Sequence, residues 1–126
     1  MKALQDEFKE ASHSEQSHFF EFVIQEAIKE FCKPGTAAID AGAAGGSHTW
    51  LMAQTTGPAG QVHAFEPNPV LADYTRKLCE HYPWLQVHQL ALSDRTGDRT
   101  FYTAVNAGMG MGSLSKRPTS RMWDTT

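Results

Sequence analysis

Apolar and polar positions along the chain follow two periods, and the change from one to the other marks out its elements. Phe19, Val23, Ala27 and Phe31 recur at four-residue spacing, with Phe20, Ile24 and Ile28 beside them. A stripe of that period predicts an amphipathic helix. Glu21, Gln25, Glu26, Lys29 and Glu30 occupy its other face. Ser12 followed by Glu15 predicts a capping box at its start, and Pro34-Gly35 stops it.

Short apolar runs take over beyond Gly35. Residues 36–40 end in an acid and predict a buried parallel strand, and a glycine-dense turn follows from Gly42 to Gly46. Residues 49–55 predict a short helix closed by Gly57-Pro58, and residues 61–65 a second strand ending at Glu66. Pro67-Asn68-Pro69 is a rigid turn whose second proline suits the first turn of a helix. That helix is expected to reach about His81 and to turn Leu71, Tyr74 and Leu78 inward, with Tyr82 as a further candidate. Residues 85–90 predict a third strand, and residues 99–105 a fourth, edge-like one after the turn at Asp94 to Gly97.

Strands alternating with helices at this spacing imply βαβ units with right-handed crossovers. The expected fold is α/β, a Rossmann-like parallel sheet flanked by helices that breaks off after about four strands. Three regions are expected: an N-terminal amphipathic helix packing on the sheet (1–35), a cofactor-binding unit (36–105), and a Gly/Met-rich loop with a polar tail (106–126).

Composition narrows the class. At 126 residues the chain holds one domain at most, and 40% hydrophobic content with mixed charges fits an ordinary globular protein. A net charge of −3 argues against a nucleic-acid surface. No apolar run is long enough to span a membrane, and the polar N-terminus lacks the apolar core of a signal peptide. Cys32 and Cys79 form no CxxC pair, so a reduced, cytoplasmic protein is expected.

The six histidines do not read as a metal centre. His13 and His18 do not share a helix face, and His63 and His88 read as sheet-packed or solvent-facing residues of adjacent strands. His48 reads as an exposed first-turn histidine in preference to a base, and Trp50 and Trp84 as packing residues.

The chemistry concentrates in Asp40-Ala41-Gly42-Ala43-Ala44-Gly45-Gly46. Glycines between a strand and a helix let a ligand approach the backbone, and the helix start offers free N–H groups to an anion. A dinucleotide fingerprint counted from Gly42 would need glycine at Ala44 and Ser47, and neither is present. Counted from the acid, Asp40-x-Gly42-x-x-x-Gly46 fits the methyltransferase form Asp/Glu-x-Gly-x-Gly-x-Gly, with Ala44 at its middle glycine. Glu66 stands at the end of the second strand, where a carboxylate can accept from both ribose hydroxyls. In isolation that acid could equally cap the next helix; together with the loop, ribose binding is the better reading.

These residues resemble a known family. Residues 39–49 are similar to the first motif of FkbM-type methyltransferases, Asp-x-Gly-Ala-Asn-x-Gly-x-x-Thr, and residues 60–69 match the second, Gly-x-Val-x-Ala-Phe-Glu-Pro-Asn-Pro, nearly letter for letter. Leu90-Ala91-Leu92-Ser93-Asp94 before Gly97 resembles the third, and Gly112-Ser113-Leu114 a later serine-containing loop. The resemblance implies methyl transfer from S-adenosylmethionine to a hydroxyl oxygen of a sugar or other small hydroxylated acceptor. By it, Gly42, Ala43 and Gly46 would line the methionine end, Asp40 would orient the loop, and Thr49 matches the threonine at the helix start. Glu66 would hold the ribose with Asn68 nearby, and Ala91 and Leu92 would lie near adenine. The family's loop asparagine is Ala44 here, and its later Lys-x-Asp-x-Glu-Gly strand is absent. No catalytic base is assigned. The alternative is a non-catalytic cofactor-binding fragment or a half-domain completed by a partner, and a homo-oligomer stays open.

Overall fold

Three short strands and the helices that follow the first two make a single α/β unit in the computed structural model, which describes residues 9, 12–104, 112–115 and 123–125. Strand β1 (Ala37–Ala41), helix α2 (Ser47–Thr56), strand β2 (Gln61–Phe65), helix α3 (Pro69–Arg76) and strand β3 (Leu85–His88) follow helix α1 (His13–Phe31). The strands are parallel in the order β1-β2-β3, with Asp40 opposite Ala64 and Ala64 opposite Val87. The parallel α/β architecture expected from the alternation of periods is therefore present.

Side chains of successive strand residues point to opposite faces. On one face Val62, Ala64 and Leu85 are buried with Ala43 and Ala53, and Ala38, Met52, Leu78, Trp84 and Val87 pack around them. The core is built from small residues because α2 and α3 lie close to the sheet. Ala53, Ala72, Thr49, Thr56 and Thr75 are all fully buried. Trp84 closes one end, donating its indole N–H to Ala53 O at 2.8 Å.

The opposite face carries Ile39, His63, Phe65 and His88. Ile39 is 64% exposed, while His63, Phe65 and His88 are half-buried. His63 and His88 lie 3.1 Å apart, nitrogen to nitrogen, and Phe65 stacks on His88. Both histidines are thus packed on the sheet.

Several boundaries differ from expectation. Helix α3 ends at Arg76 and tightens into a 3₁₀ turn (Lys77–Glu80) in place of continuing to His81. Its inward positions are Ala72 and Thr75, while Tyr74 is exposed. The third strand closes at His88, two residues before the expected end. The fourth expected strand forms as β4 (Tyr102–Ala104), but it pairs antiparallel with β5 (Trp123–Thr125) and does not join the parallel sheet. A strand in the polar tail was not expected.

Helix α1 begins as predicted. Ser12 Oγ accepts from Glu15 N–H, and the Glu15 carboxylate accepts from Ser12 N–H at 2.8 Å. The helix packs against α2, and among its described residues only Ile28 is buried. Phe19, Phe20, Phe22, Val23, Ile24 and Phe31 are exposed. Cys32, at the C-cap of α1, and Cys79, in the 3₁₀ turn, are half-buried free thiols, and burial pushes both above the ordinary cysteine value. No described helix is long and apolar enough to cross a membrane. Residue 105 of the expected fourth strand, 106–111 of the Gly/Met-rich loop, and 116–122 and 126 of the tail lie outside the described residues.

Candidate functional site

The carboxyl ends of β1, β2 and β3 deliver three loops to one rim, the place where open α/β sheets bind ligands. Leaving β1, the chain turns back on itself at Gly42, whose N–H donates to Phe65 O at 2.8 Å, as does that of Ala43 at 3.0 Å. This ties the glycine loop to the end of β2. Ala44 adopts a left-handed conformation with φ of 47°, and Gly46 does so at 81°.

A side chain at Gly46 would also crowd its neighbours. A Cβ there would come within 3.0 Å of Thr75 Cγ2 and 3.1 Å of Leu78 Cδ1. Helix α2 therefore starts hard against α3. Thr75 Oγ1 completes the joint by donating to Ala44 O at 3.0 Å. Gly46 is the N-cap of α2 and provides no side-chain cap, so the first-turn amides keep their capacity to meet an anion.

Glu66 sits at the centre of the rim. It is 5% exposed, and its two oxygens accept from Ala44 N–H and from Asn68 N–H, each at 2.8 Å. One carboxylate thus joins the loop after β1 to the turn after β2. A carboxylate oxygen has two lone pairs, so each keeps acceptor capacity after one such bond. The helix cap comes from a neighbour: Asn68 Oδ1 accepts from Val70 N–H at 3.0 Å and Leu71 N–H at 3.4 Å.

A cavity of about 260 Å³ opens beside Glu66. Gly42 and Glu66 line it together with a largely apolar set that includes Phe65, Leu90, Ala91, Leu92, Phe101 and Leu114. Of the residues singled out in the sequence, Gly42, Glu66, Ala91 and Leu92 line this cavity. Asp40, Ala43, Thr49 and Asn68 are buried beneath the rim. Asp40 accepts from Thr49 Oγ1 at 2.5 Å, a buried bond that locks β1 to α2. Gly46 faces a separate groove of about 600 Å³ between the helices, which Trp50 and Tyr74 also line.

His48 turns away from the cavity toward α1, where its Nε2 lies 3.0 Å from Glu21 Oε2. Among the described residues no cluster of three or more His, Cys, Asp or Glu could hold a metal ion. Phe101 and Pro67 are wall residues that the sequence reading did not single out. Pro67 was within reach, because it directly follows Glu66 in a matched motif; Phe101 had no such neighbour.

No family model matches the chain, and no curated protein matches it. Among solved structures, the chain is similar to a candidate rRNA methylase of Clostridium thermocellum at 23% identity and a TM-score of 0.49, over 53% of this chain and 38% of that one. Fibrillarin of Aeropyrum pernix, in complex with natively bound S-adenosyl-L-methionine, matches at 18% identity and 0.45, over 48% of this chain and 26% of its own. A SAM-dependent methyltransferase of Aquifex aeolicus matches at 19% and 0.46, over 60% and 41%. The chain therefore spans between 26% and 41% of the length of these proteins.

Proposed function

We propose that the chain is the cofactor-binding part of an S-adenosylmethionine-dependent methyltransferase of the FkbM type, acting on a small hydroxylated acceptor. The observation that carries this reading is the placement of Glu66. A buried acid follows β2 directly, holds the glycine loop through Ala44 and keeps lone pairs beside a cavity lined largely by apolar residues.

The residues present fit the group. The diol of a ribose is matched by an acceptor-only carboxylate, and a nucleobase by the apolar wall at Leu90, Ala91 and Leu92. The uncapped start of α2 suits an amino-acid carboxylate but opens on the separate groove, so within the cavity the glycine loop contributes through Gly42. When bound, the cofactor supplies an electrophilic methyl group for in-line displacement by an acceptor oxygen. The chain's own residues bind and orient: Glu66 fixes the ribose, and Asp40 with Thr49 holds the strand and helix that carry the loop. Their contribution is alignment.

A second reading has its own support. The outer edge of β1 is unpaired among the described residues, and Ile39 on the sheet face away from the core is 64% exposed. A half-domain that binds cofactor and is completed by a partner would present such an edge and face. Thermal unfolding with S-adenosylhomocysteine tests what the two readings share. A ligand bound only by the native state raises the midpoint, by an amount that grows with ligand concentration. A folded chain whose midpoint stays fixed at millimolar ligand would remove both. Methyl transfer to hydroxylated acceptors then separates an enzyme from a binding fragment.

A further inference from the structure

The free edge of β1 and the apolar stripe of α1 lie on one side of the molecule. Helix α3 packs on β3, and α2 on β1 and β2, so the helical layer follows the order of the strands. Helix α1 packs on α2 and runs into β1 through residues 32–36, which places it at the β1 end of that layer. It meets α2 with one margin: Ile28 is buried, Glu21 reaches His48, and Gln25 and Lys29 line the groove beside Trp50. The stripe itself stays outside. Phe19, Phe20, Val23, Ile24 and Phe31 are between 42% and 77% exposed.

Only one edge of β1 is paired among the described residues. Gln61 N–H donates to Thr36 O at 3.1 Å and Gly42 N–H to Phe65 O at 2.8 Å, so the even-numbered residues turn their backbone groups to β2. The N–H and C=O groups of Ala37, Ile39 and Ala41 point to the other edge. Exposed edges are commonly guarded by lysine, proline or a bulge. Ala37-Ala38-Ile39-Asp40-Ala41 has none of the three, and its one charge is buried against Thr49.

We propose that two copies of the chain pair antiparallel through this edge, about a two-fold axis at Ile39. Ile39 then opposes its counterpart, and Ala37 opposes Ala41 of the second copy, each exchanging both backbone hydrogen bonds. Such an axis is perpendicular to the sheet and joins the two units into one sheet in the order β3-β2-β1-β1-β2-β3. It keeps the helices of both copies on the same face, so the two α1 stripes meet over the new seam. A second copy is the occupant this pattern fits, because the edge is symmetrical about Ile39, with an alanine two residues to each side. The area suffices as well. The exposed side chains of the stripe, with Ile39, offer roughly 500–600 Å². A polar rim extends this toward the 800 Å² or so that each partner gives a stable interface. The pairing names the completing partner of the second reading above and does not depend on which ligand the cavity holds.

Sedimentation velocity of the full chain tests this, with amide hydrogen exchange as the local readout. A dimer is expected with a dissociation constant on the order of 10 μM. The amides of Ala37, Ile39 and Ala41 are expected to exchange more slowly well above that concentration than well below it. Ile39→Lys and Ile39→Glu each set like charges opposite one another across the axis, and each is expected to weaken the dimer at least tenfold. Mixing the two variants is expected to restore it, because opposite charges then face each other. Phe31→Glu is expected to weaken it similarly, whereas Val70→Glu, at an exposed apolar position on α3, leaves it unchanged. Circular dichroism establishes that each variant is folded, and recovery on mixing is open only to folded chains.

A folded natural chain that stays monomeric in millimolar solution would overturn the pairing. So would a dimer that survives Ile39→Lys or Phe31→Glu, Ile39 variants that do not recover on mixing, or edge amides indifferent to concentration. Titration with S-adenosylhomocysteine keeps the two proposals apart. A monomer that binds it overturns the pairing and leaves the cofactor reading standing; a dimer that binds none overturns the cofactor reading and leaves the pairing standing.

Discussion

Glu66 accepts a hydrogen bond from the backbone N–H of Ala44, twenty-two residues earlier, at 2.8 Å while its other oxygen takes Asn68 N–H. Replacing it tests structure and function together. Glutamine keeps the shape but turns one acceptor oxygen into an NH₂, which must then oppose a backbone donor. Hydrogen bonds to a buried charged group are worth roughly 1.5–3 kcal/mol each. Glu66→Gln is expected to lower stability by about 2 kcal/mol and to weaken S-adenosylhomocysteine at least tenfold. Denaturant titration and calorimetry read the two effects separately. A variant that loses stability but keeps its affinity would make Glu66 a structural tie only.

Ala44 carries a conformational cost that the sequence could remove. Its φ of 47° lies in the left-handed region, which costs an L-residue with a Cβ about 1–2 kcal/mol and which asparagine tolerates better. Ala44→Asn is expected to raise stability by about 0.5–1 kcal/mol, visible as a higher thermal midpoint. Ala44→Gly should gain less, because glycine also frees the unfolded chain. Ala44→Val should lose stability, since a β-branched side chain fits this region worst. The N–H to Glu66 is a backbone group, so all three variants keep the loop tied to β2.

How far the sequence could be read depended on whether a residue's neighbours were local. The capping box at Ser12 and Glu15, the strands that carry Asp40 and lead into Glu66, and the turn at Pro67-Asn68-Pro69 are marked by local period and turn chemistry, and they were legible. Tyr74 was misread as inward because large apolar residues draw attention. The tight approach of α3 to the loop at Gly46 buries Ala72 and Thr75 in its place. The pairing of β4 with β5 and the close approach of Phe101 to Gly112 join segments that no periodicity links. The stripe of α1 was seen correctly as amphipathic. Its period could not say that the helix would lie beside α2 and leave Phe22 and Phe31 bare.

The buried bond between Asp40 and Thr49 gives a sharper test of what holds the site up. Thr49 is 0% exposed and donates to Asp40 Oδ2 at 2.5 Å. Thr49→Val preserves volume and removes the donor, leaving a buried carboxylate short of a partner. That is expected to cost about 2–3 kcal/mol, with Thr49→Ser recovering most of it. Neither residue lines the cavity, so affinity measured well below the unfolding temperature should change much less than on replacing Glu66. A loss of affinity as large as that of Glu66→Gln, in a folded Thr49→Val protein, would place Thr49 in direct contact with ligand.

Acid should loosen the start of α1 before it reaches the core. The hydroxyl and backbone N–H of Ser12 hold the Glu15 carboxyl below its ordinary value of 4.5. A group whose folded value is depressed contributes stability above its unfolded value, and that stability drains away as pH falls through the folded one. The capping box is therefore complete at neutral pH, begins to weaken near pH 4.5 and is lost below it. Helical circular dichroism should fall over that window in the natural chain. In Glu15→Gln, whose side chain still accepts from Ser12 N–H but does not titrate, this part of the fall should be absent. Identical acid profiles for the two proteins would show that the capping carboxylate contributes nothing measurable. Because Glu15 lies fully in solvent, salt should shrink the difference between them.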